Sequence, residues 1–293
     1  MKTVAIGNHL VGDGHPVFCV GEIGINANGS LDIASKLIAT AALAGCQAVK
    51  FQKRTVDVVY TAEELSRPRD SPFGKTNGDL KYALEFDGYD YNEIDRLSRV
   101  HHILWFASCW DEASVDFIEQ FDPPCYKIAS ASLTDIDLLQ YTRSMGRPII
   151  LSTGMSTLAQ IDKAVEAIGD TDLIILHCTS TYPCQPQELN LQCIPMLQER
   201  YNVPIGFSDH SPGLPASVAA VGLGACMIER HITLNRTMFG SDQAASIEPR
   251  GLSRLVDYIR YIEQARGDGI KTVYPSEELI REKLRRKDTT GAS

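Results

Sequence analysis

Residues 17–22 read VFCVGE, an apolar run that ends in the acid Glu22. Four further apolar runs also end in an ionisable residue, namely QAVK at Lys50, PCYK at Lys127, VPIGFSDH at His210 and MIERH at His231. The active site of a (β/α)8 barrel lies at the C-terminal ends of its strands, so this recurrence predicts a barrel enzyme. Two lysines, an acid and two histidines around one rim predict an anionic substrate and a metal ion.

Strand-like and helix-like segments alternate outward from this first run. The predicted strands are 17–23, 46–51, 103–108, 124–129, 147–152, 173–178, 203–208 and 225–231. The amphipathic stretches between and after them include 30–45, 91–102, 157–169, 215–225 and 252–267. Ser30 is a predicted helix N-cap, and Gly45 ends the same helix. GEIGINANG lacks the GxGxxG spacing of an open dinucleotide-binding sheet, so we predict an α/β fold, a (β/α)8 TIM barrel.

The barrel is expected to fill residues 1–270 as one domain with an N-terminal β-hairpin. TVAIG and PVFCV are the predicted hairpin strands, around the turn Gly12-Asp13-Gly14. Residues 52–88 form an unusually long rim loop, which we expect to cover the site unless it is an insertion without substrate contact. Residues 271–293 are predicted to be a charged C-terminal helix and a disordered tail.

Composition excludes several classes of function. Of 293 residues, 44% are hydrophobic, which suffices for a large core, and the net charge of −9 argues against binding to nucleic acid or a membrane surface. No segment approaches the roughly 18 apolar residues of a membrane span, and the N-terminus lacks an apolar signal segment. Eight cysteines without CxxC spacing indicate reduced core residues. We therefore expect a cytoplasmic protein.

Seven motifs in chain order resemble the catalytic barrel of the sialic acid (N-acetylneuraminate) synthase family. They are GEIGINANGSLDIA, AVKFQ, YKIASASLTD, PIILSTGM, LHCTSTYP, IGFSDH and ERHITLNR. The resemblance implies a transferase that condenses phosphoenolpyruvate with an aldose, N-acetylmannosamine or a related sugar. The product would be a 3-deoxy-2-ulosonic acid of the sialic type, formed with release of phosphate for carbohydrate or surface-polysaccharide biosynthesis.

The resemblance also implies roles for individual residues. His210 and His231 match two metal ligands for Mn²⁺ or Mg²⁺. Carboxylates near the reacting carbons and the acceptor sugar are matched by Glu22, Glu229 and Asp242. Positions that hold the substrates are matched by Lys50, Ser108, Lys127, Ser130, Ser152, Ser180, Tyr182 and Ser208.

The chemistry of phosphoenolpyruvate supports these residue types. A ligand with up to three negative charges requires buried lysines and hydroxyl donors in an otherwise acidic protein. A metal held by two imidazoles keeps positions open for water and a sugar aldehyde. We expect Glu22 to stabilise a cation at C2 or to help deliver water. Asp209 could orient His210, and His177 could support either the core or the site.

Three departures from the family pattern bear on the acceptor sugar. Ala27 stands where relatives have a histidine, Ser180 stands where they have an asparagine, and the chain is expected to end before the antifreeze-like domain of its relatives. A separate chain could supply that domain, and we expect a homo-oligomer. Two alternatives remain open. One is a synthase for a phosphorylated aldose, of the octulosonate or heptulosonate type, and the other is a catalytically silent sugar-pathway binding barrel.

Overall fold

The computed structural model describes residues 2–287 of the chain. The strands β1 to β12 are, in order, Thr3–Ile6, His9–Gly12, Phe18–Glu22, Ala48–Lys53, Pro68–Ser71, Gly74–Thr76, Leu104–Cys109, Tyr126–Ile128, Ile149–Ser152, Leu173–Cys178, Ile205–Asp209 and Met227–His231. The helices α1 to α12 are Leu31–Leu43, Val56–Val59, Ala62–Ser66, Asn77–Leu84, Gly88–Val100, Glu112–Glu119, Ile136–Ser144, Leu158–Ile168, Cys193–Arg200, Pro215–Gly222, Pro249–Arg266 and Pro275–Leu284. Short 3₁₀ turns lie at Gly24–Ala27, Ser130–Ser132, Pro186–Glu188 and Gln243–Ala245.

Eight parallel strands form a closed barrel in the order β10, β11, β12, β3, β4, β7, β8, β9. The last strand, β12, pairs with the first, β3, and this pairing closes the cylinder. The predicted TIM barrel is confirmed, and each of the eight predicted strand segments overlaps one barrel strand. All eight strand ends therefore meet at one mouth.

Helix α1 shows why the outer layer forms where the sequence predicts it. The hydroxyl of Ser30 accepts a hydrogen bond from the backbone N–H of Ile33, which caps the first turn. Ala34, Leu37, Ile38 and Ala41 recur at helical spacing and are buried against the barrel. The helix therefore covers the outward-facing side chains of neighbouring strands.

The barrel interior contains an apolar layer built by inward-facing residues near the middle of the strands. These residues belong to one cluster of buried side chains and include Val20, Ala48, Phe106, Cys125, Ile150, Leu176 and Met227. Side chains on one face of a strand recur every second residue. The next inward-facing residue on each strand therefore lies one layer higher, at the mouth.

The N-terminal hairpin closes the opposite end, but its second strand differs from our prediction. β1 pairs antiparallel with β2 rather than with PVFCV, which contributes the first barrel strand. The turn is made at Gly7, whose positive φ of 57° suits glycine, and not at Gly12-Asp13-Gly14. Val4, Ile6 and Val11 pack against the apolar layer. The hairpin thus completes the barrel core from below.

The predicted rim loop 52–88 is instead a folded insertion. After β4 it contains helices α2, α3 and α4 and a small hairpin, β5 and β6. Phe73, at the turn of that hairpin, contacts the ring of Phe239 with centroids 6.0 Å apart. The insertion therefore touches the segment that follows β12.

Helix α12 occupies part of the predicted charged C-terminal segment, and it has no buried residue. The rest of the predicted helix and tail at 271–293, residues 288–293, lies outside the described residues. Between residues 2 and 287, no helix has both the length and the apolar character needed to cross a membrane.

Candidate active site at the barrel mouth

A cavity of about 230 Å³ opens at the C-terminal ends of the barrel strands. Every side chain predicted for the site lines this cavity except Asp242. The residues brought together are Glu22, Lys50, Ser108, Lys127, Ser130, Ser152, Ser180, Tyr182, Ser208, His210, Glu229 and His231. They come from all eight strands or the turns that follow them, which explains how positions far apart in sequence form one site.

A chain of alternating charges crosses the floor of the cavity. Lys50 Nζ lies 3.2 Å from Glu22 Oε2 and 3.3 Å from Glu229 Oε2. Lys127 Nζ lies 3.7 Å from Glu229 Oε1 and donates a hydrogen bond of 2.6 Å to Ser152 Oγ. All four charged side chains are buried. Their charges are therefore only weakly screened by solvent.

Burial and mutual interaction shift the pKa values of this charge chain. Burial raises the pKa of Glu22 to about 7. Burial would also raise the pKa of Glu229, but the Lys127 and Lys50 charges lower it to about 2. Burial lowers the pKa of Lys127 to about 8, whereas the two carboxylates raise the pKa of Lys50 despite its burial. The raised pKa of Glu22 weakens the negative charge that opposes the two lysines, which favours the binding of an anionic ligand.

Hydroxyl groups surround the two lysines. Ser208 Oγ donates a hydrogen bond of 2.9 Å to Glu229, and Ser130 Oγ accepts one of 3.0 Å from the Gly154 backbone N–H. A Cβ atom at Gly154 would lie 2.7 Å from Ser130 Oγ and would also collide with Ser180 Oγ. The absent side chain of Gly154 thus leaves both hydroxyls free to face the cavity.

His210 and His231 stand side by side, with ring centroids 5.4 Å apart. His210 Nδ1 donates to the Thr179 carbonyl oxygen at 2.8 Å, which leaves Nε2 available to a ligand. The Tyr182 ring packs on His210 at 4.1 Å between centroids. Burial lowers the pKa of His231 to about 3, so this imidazole is neutral, as metal binding requires.

These two imidazoles fit a divalent metal with several open positions. Across residues 2–287, no cluster of three or more His, Cys, Asp and Glu side chains is placed to hold an ion. His231 Nδ1 is buried and has no hydrogen-bond partner in the same part of the chain. A site of two protein ligands would complete its coordination with water and substrate oxygens.

Asp242 lies beside the site on the segment that follows β12. Its Oδ2 is 3.8 Å from His231 Nδ1, although its side chain does not line the cavity. The neighbouring Gln243 is buried and donates to the Asn26 carbonyl oxygen at 3.2 Å. The segment is therefore anchored next to His231.

Two expectations about supporting residues are resolved by the structure. The carboxylate of Asp209 accepts hydrogen bonds from Ser211, Ser217 and Arg230 rather than from the His210 ring, so its link to His210 runs through the backbone. Asp209 lies between two cavity residues on β11 and therefore points away from the cavity. His177 Nε2 donates to the Leu189 carbonyl oxygen at 2.7 Å, and its ring stacks on Phe207. His177 therefore supports the core beneath the adjacent loop.

Sequence reasoning missed Gln52 and Trp110, which also line the cavity. Gln52 Nε2 donates a hydrogen bond of 2.9 Å to Glu22 Oε1. Gln52 follows Lys50 by two residues on β4, so strand alternation could have identified it. Trp110 comes directly after the end of β7, where its sequence neighbours carry no comparable signal.

The class of protein follows from the closed (β/α)8 barrel and from the buried lysines, hydroxyls and paired histidines at its mouth. This chain is a barrel protein whose C-terminal face is built to bind an anion. Residues 37–271 match the NeuB family, and the chain belongs to that family. The family resemblance predicted from the motifs is confirmed.

Individual relatives support the same assignment. The chain is 39% identical over 280 residues to the N-acetylneuraminate-9-phosphate synthase of Homo sapiens. This alignment covers 94% of this chain and 78% of the human protein. It is 34% identical over 282 residues to the N,N'-diacetyllegionaminic acid synthase of Legionella pneumophila, covering 93% and 79%. The crystal structure of the sialic acid synthetase of Leptospira borgpetersenii in complex with citrate superposes with a TM-score of 0.83, at 32% identity and 98% coverage of both chains.

Proposed function

We propose that this protein is a metal-dependent transferase that condenses phosphoenolpyruvate with an aldose to form a sialic-type 3-deoxy-2-ulosonic acid and phosphate. The observation that carries the proposal is the buried chain of Glu22, Lys50, Glu229 and Lys127 at the mouth of a NeuB-family barrel. Relatives named as synthases of N-acetylneuraminate 9-phosphate and diacetyllegionaminic acid support this reaction type.

The lysines and hydroxyls are assigned to phosphoenolpyruvate. Lys127 and Lys50 offer two buried cations, and hydroxyls border them at Ser130, Ser152 and Ser208. Charge-assisted hydrogen bonds to a carboxylate or phosphate contribute roughly 1.5–3 kcal/mol each. We assign Ser108 and Ser180 to the same ligand because both line the same cavity.

His210 and His231 would hold Mn²⁺ or Mg²⁺. When bound, the metal would polarise the aldehyde oxygen of the acceptor as a Lewis acid. Tyr182 packs against both imidazole rings, which restricts their orientation. The family resemblance assigns Asp242 to the acceptor sugar, and its carboxylate lies 3.8 Å from His231 Nδ1, beside the cavity rather than in its lining.

The carbon–carbon bond forms between C3 of phosphoenolpyruvate and the aldehyde carbon as the π bond of the aldehyde breaks, and the aldehyde oxygen takes a proton from a solvent water. C2 then carries the positive charge of an oxocarbenium ion. Glu22 is the carboxylate we assign to stabilise that charge and to take the proton of the attacking water, since its pKa of about 7 suits proton transfer near neutrality. Water capture leaves a hydroxyl on C2. As the C2–O bond to phosphate breaks, this hydroxyl becomes the C2 carbonyl, its proton leaves with the phosphate, and Glu22 returns its proton to solvent. Glu229 holds Lys50 and Lys127 in place throughout.

The acceptor in this proposal is N-acetylmannosamine or a related sugar. The mouth offers the faces and polar atoms of Trp110 and Tyr182 beside Gln52, a combination of aromatic and amide groups suited to a sugar. A phosphorylated aldose is the second candidate acceptor, because one relative is named for a phosphorylated product. A silent binding barrel is disfavoured by the convergence of the predicted site residues in one cavity.

We also propose that the protein is a cytoplasmic homo-oligomer. The eight cysteines are all unpaired, which is typical of a reducing compartment. Exposed apolar side chains concentrate near the C-terminus, and they include Tyr261, Ile270, Tyr274, Leu279 and Leu284. Such a surface supports association with a second copy or with a separate antifreeze-like domain chain.

The decisive experiment measures phosphate release from phosphoenolpyruvate with Mn²⁺ and a panel of aldoses, including N-acetylmannosamine, its 6-phosphate, mannose and arabinose 5-phosphate. We expect release with one aldose, with the new acid identified by mass spectrometry. Lys127→Ala should abolish release. Lys53→Ala is the matched control, since Lys53 pairs with Glu85 and does not line the cavity. A wild-type protein that releases no phosphate with any aldose, although phosphoenolpyruvate raises its melting temperature, would support the silent barrel.

A further inference from the structure

A buried ion pair lies directly behind the two histidines, outside the cavity. Arg230 Nη1 donates to Asp209 Oδ2 at 2.5 Å, and both side chains are almost wholly buried. Asp209 and Arg230 are register partners on the neighbouring strands β11 and β12. His210 follows Asp209 and His231 follows Arg230, so the pair joins the two strand ends immediately before the histidines.

Arg230 also fixes the turn after His210. Its Nη2 donates to the Ser211 carbonyl oxygen at 2.8 Å, while Asp209 Oδ1 accepts from the Ser211 backbone N–H at 2.8 Å. Ser217, in helix α10, donates to the same Asp209 carboxylate at 2.5 Å. The His210 carbonyl oxygen accepts from the Cys184 backbone N–H. Arg230 therefore holds the residues on both sides of His210, Asp209 and Ser211, and Cys184 adds a separate contact to the His210 carbonyl.

Stability alone is a poor explanation for this ion pair. Replacing a buried ion pair by apolar side chains of similar volume is often neutral or stabilising. Moreover, Arg230 Nε has no hydrogen-bond partner in the described part of the chain, so the burial of its guanidinium is incompletely compensated. A charged group kept at such a cost indicates a requirement for orientation.

We propose that Arg230 is a positioning residue that sets the orientation of His210 relative to His231 through Asp209 and Ser211. It touches neither the cavity nor a ligand, so it acts only through the histidines. Groups that orient metal ligands commonly alter metal affinity by 10–100-fold when they are changed. The consequence for metal binding rests on the proposed function, whereas the orientation of His210 does not.

Arg230→Lys separates positioning from charge. A lysine can keep the ion pair with Asp209, but one ammonium group cannot also reproduce the second guanidinium nitrogen at the Ser211 carbonyl. Arg147→Lys is the matched control. Arg147 likewise joins a carboxylate, Glu119, to a backbone carbonyl, that of Pro123, but it precedes β9 at the other end of the barrel.

The first measurement is ¹⁵N-histidine NMR on the metal-free protein at a pH where the imidazoles are neutral. In the wild type we expect His210 to show the Nδ1–H tautomer fixed by Thr179. Arg230→Lys should mix its tautomers and leave the His177 signals unchanged, because the Nε2 bond of His177 to Leu189 lies outside the network. Arg147→Lys should alter neither histidine.

The second measurement is Mn²⁺ binding by calorimetry, where Arg230→Lys should raise Kd at least 10-fold and Arg147→Lys less than 2-fold. Asp209→Asn should act in the same direction and replaces Arg230→Lys if that variant does not fold. Wild-type His210 signals in a folded variant would overturn the proposal. Wild-type Mn²⁺ affinity in a folded variant would likewise overturn the link to the metal. If the wild type binds no Mn²⁺, the metal assignment fails, but the NMR result still decides the role of Arg230.

Discussion

The two layers of the barrel interior differ by only two residues along each strand. In the lower layer, Val20, Ala48 and Met227 belong to a dry apolar cluster that the N-terminal hairpin closes. Two positions further, the same strands carry Glu22, Lys50 and Glu229 into the charged mouth. The same pattern holds on the remaining strands for Phe106 and Ser108, Cys125 and Lys127, Ile150 and Ser152, Leu176 and Cys178, and Gly206 and Ser208. One layer stabilises the cylinder and the next performs chemistry.

The largest difference between the charged mouth and the apolar layer should come from Lys50→Met, which removes the central cation of the mouth. We expect activity to fall by roughly 10³-fold or more, because a buried charged donor is lost. Glu22 then loses its cationic partner, whereas Glu229 keeps Lys127, so the free energy of unfolding should fall by about 3–5 kcal/mol at pH 7. Urea unfolding measures this change.

The stability loss in Lys50→Met should shrink at pH 5, where Glu22, without its lysine partner, can take up a proton. Lys53→Met, on the same strand but paired with Glu85 away from the cavity, should keep its activity. Equal stability of Lys50→Met and the wild type at pH 7 would contradict the charge chain as we describe it.

The lower layer should respond in the opposite way. Ile6→Ala removes a buried side chain where the hairpin meets the apolar layer, so we expect a loss of about 2–4 kcal/mol in the free energy of unfolding. The kcat and KM values of the folded variant should stay within about 2-fold of wild type. Leu10→Ala, half-exposed on the same hairpin, should change neither. A strong effect of Ile6→Ala on KM would show that the layers are coupled.

Gly154→Ala sharpens the comparison because it alters the mouth without touching its charges. The new methyl group would push the hydroxyls of Ser130 and Ser180 out of place, so we expect KM for phosphoenolpyruvate to rise by about 10–100-fold, with little change in melting temperature. Ser180→Gly in the same chain should restore part of the affinity. Gly222→Ala is the control, since its Cβ would meet open space. An unchanged KM would exclude this gap as part of the substrate site.

The smallest effect concerns pH. Burial raises the pKa of Glu22 to about 7, above the ordinary value of 4.5 for a glutamate. A folded-state pKa above the unfolded value means that the group's contribution is fully present below about pH 4.5 and is lost as pH rises through about 7. Glu22→Gln should therefore gain about 1–2 kcal/mol over the wild type between pH 5 and 8 in urea unfolding. The residual activity of Glu22→Gln should also no longer fall as the pH drops below about 7. Parallel stability curves for the two proteins would show that Glu22 titrates normally.

The sequence predicted the barrel well because its signals are local. Apolar runs of strand length recur between amphipathic segments, and each predicted strand was found in its place. The hairpin was assigned to the wrong partner because Gly12-Asp13-Gly14 and Gly7-Asn8 both have turn composition, and only packing under the barrel selects between them. The insertion at 52–88 was expected to be a loop because its helices are short, four to eight residues each.

The sequence predicted those site residues that lie in recognisable motifs or at the ends of strands. Glu22, Lys50, Lys127, His210 and His231 end apolar runs, and each lines the cavity. The partner of Asp209 could not be inferred, because strand register decides that Arg230 lies opposite it. The position of Asp242 could not be inferred either, because the long segment after β12 places it beside His231 but outside the lining of the cavity.

The alternation of Ser208-Asp209-His210 and Glu229-Arg230-His231 limits how this protein can diverge. Inserting or deleting one residue within β11 or β12 would turn the aspartate and arginine into the cavity and the histidines into the helical shell. Such a change would reverse at once which side chains of the strand face the cavity. The length of β11 and β12 therefore cannot change one residue at a time without loss of the site. New acceptor preferences can therefore arise in the segments between strands, such as 54–87 and 232–248, while the strands diverge only by substitution.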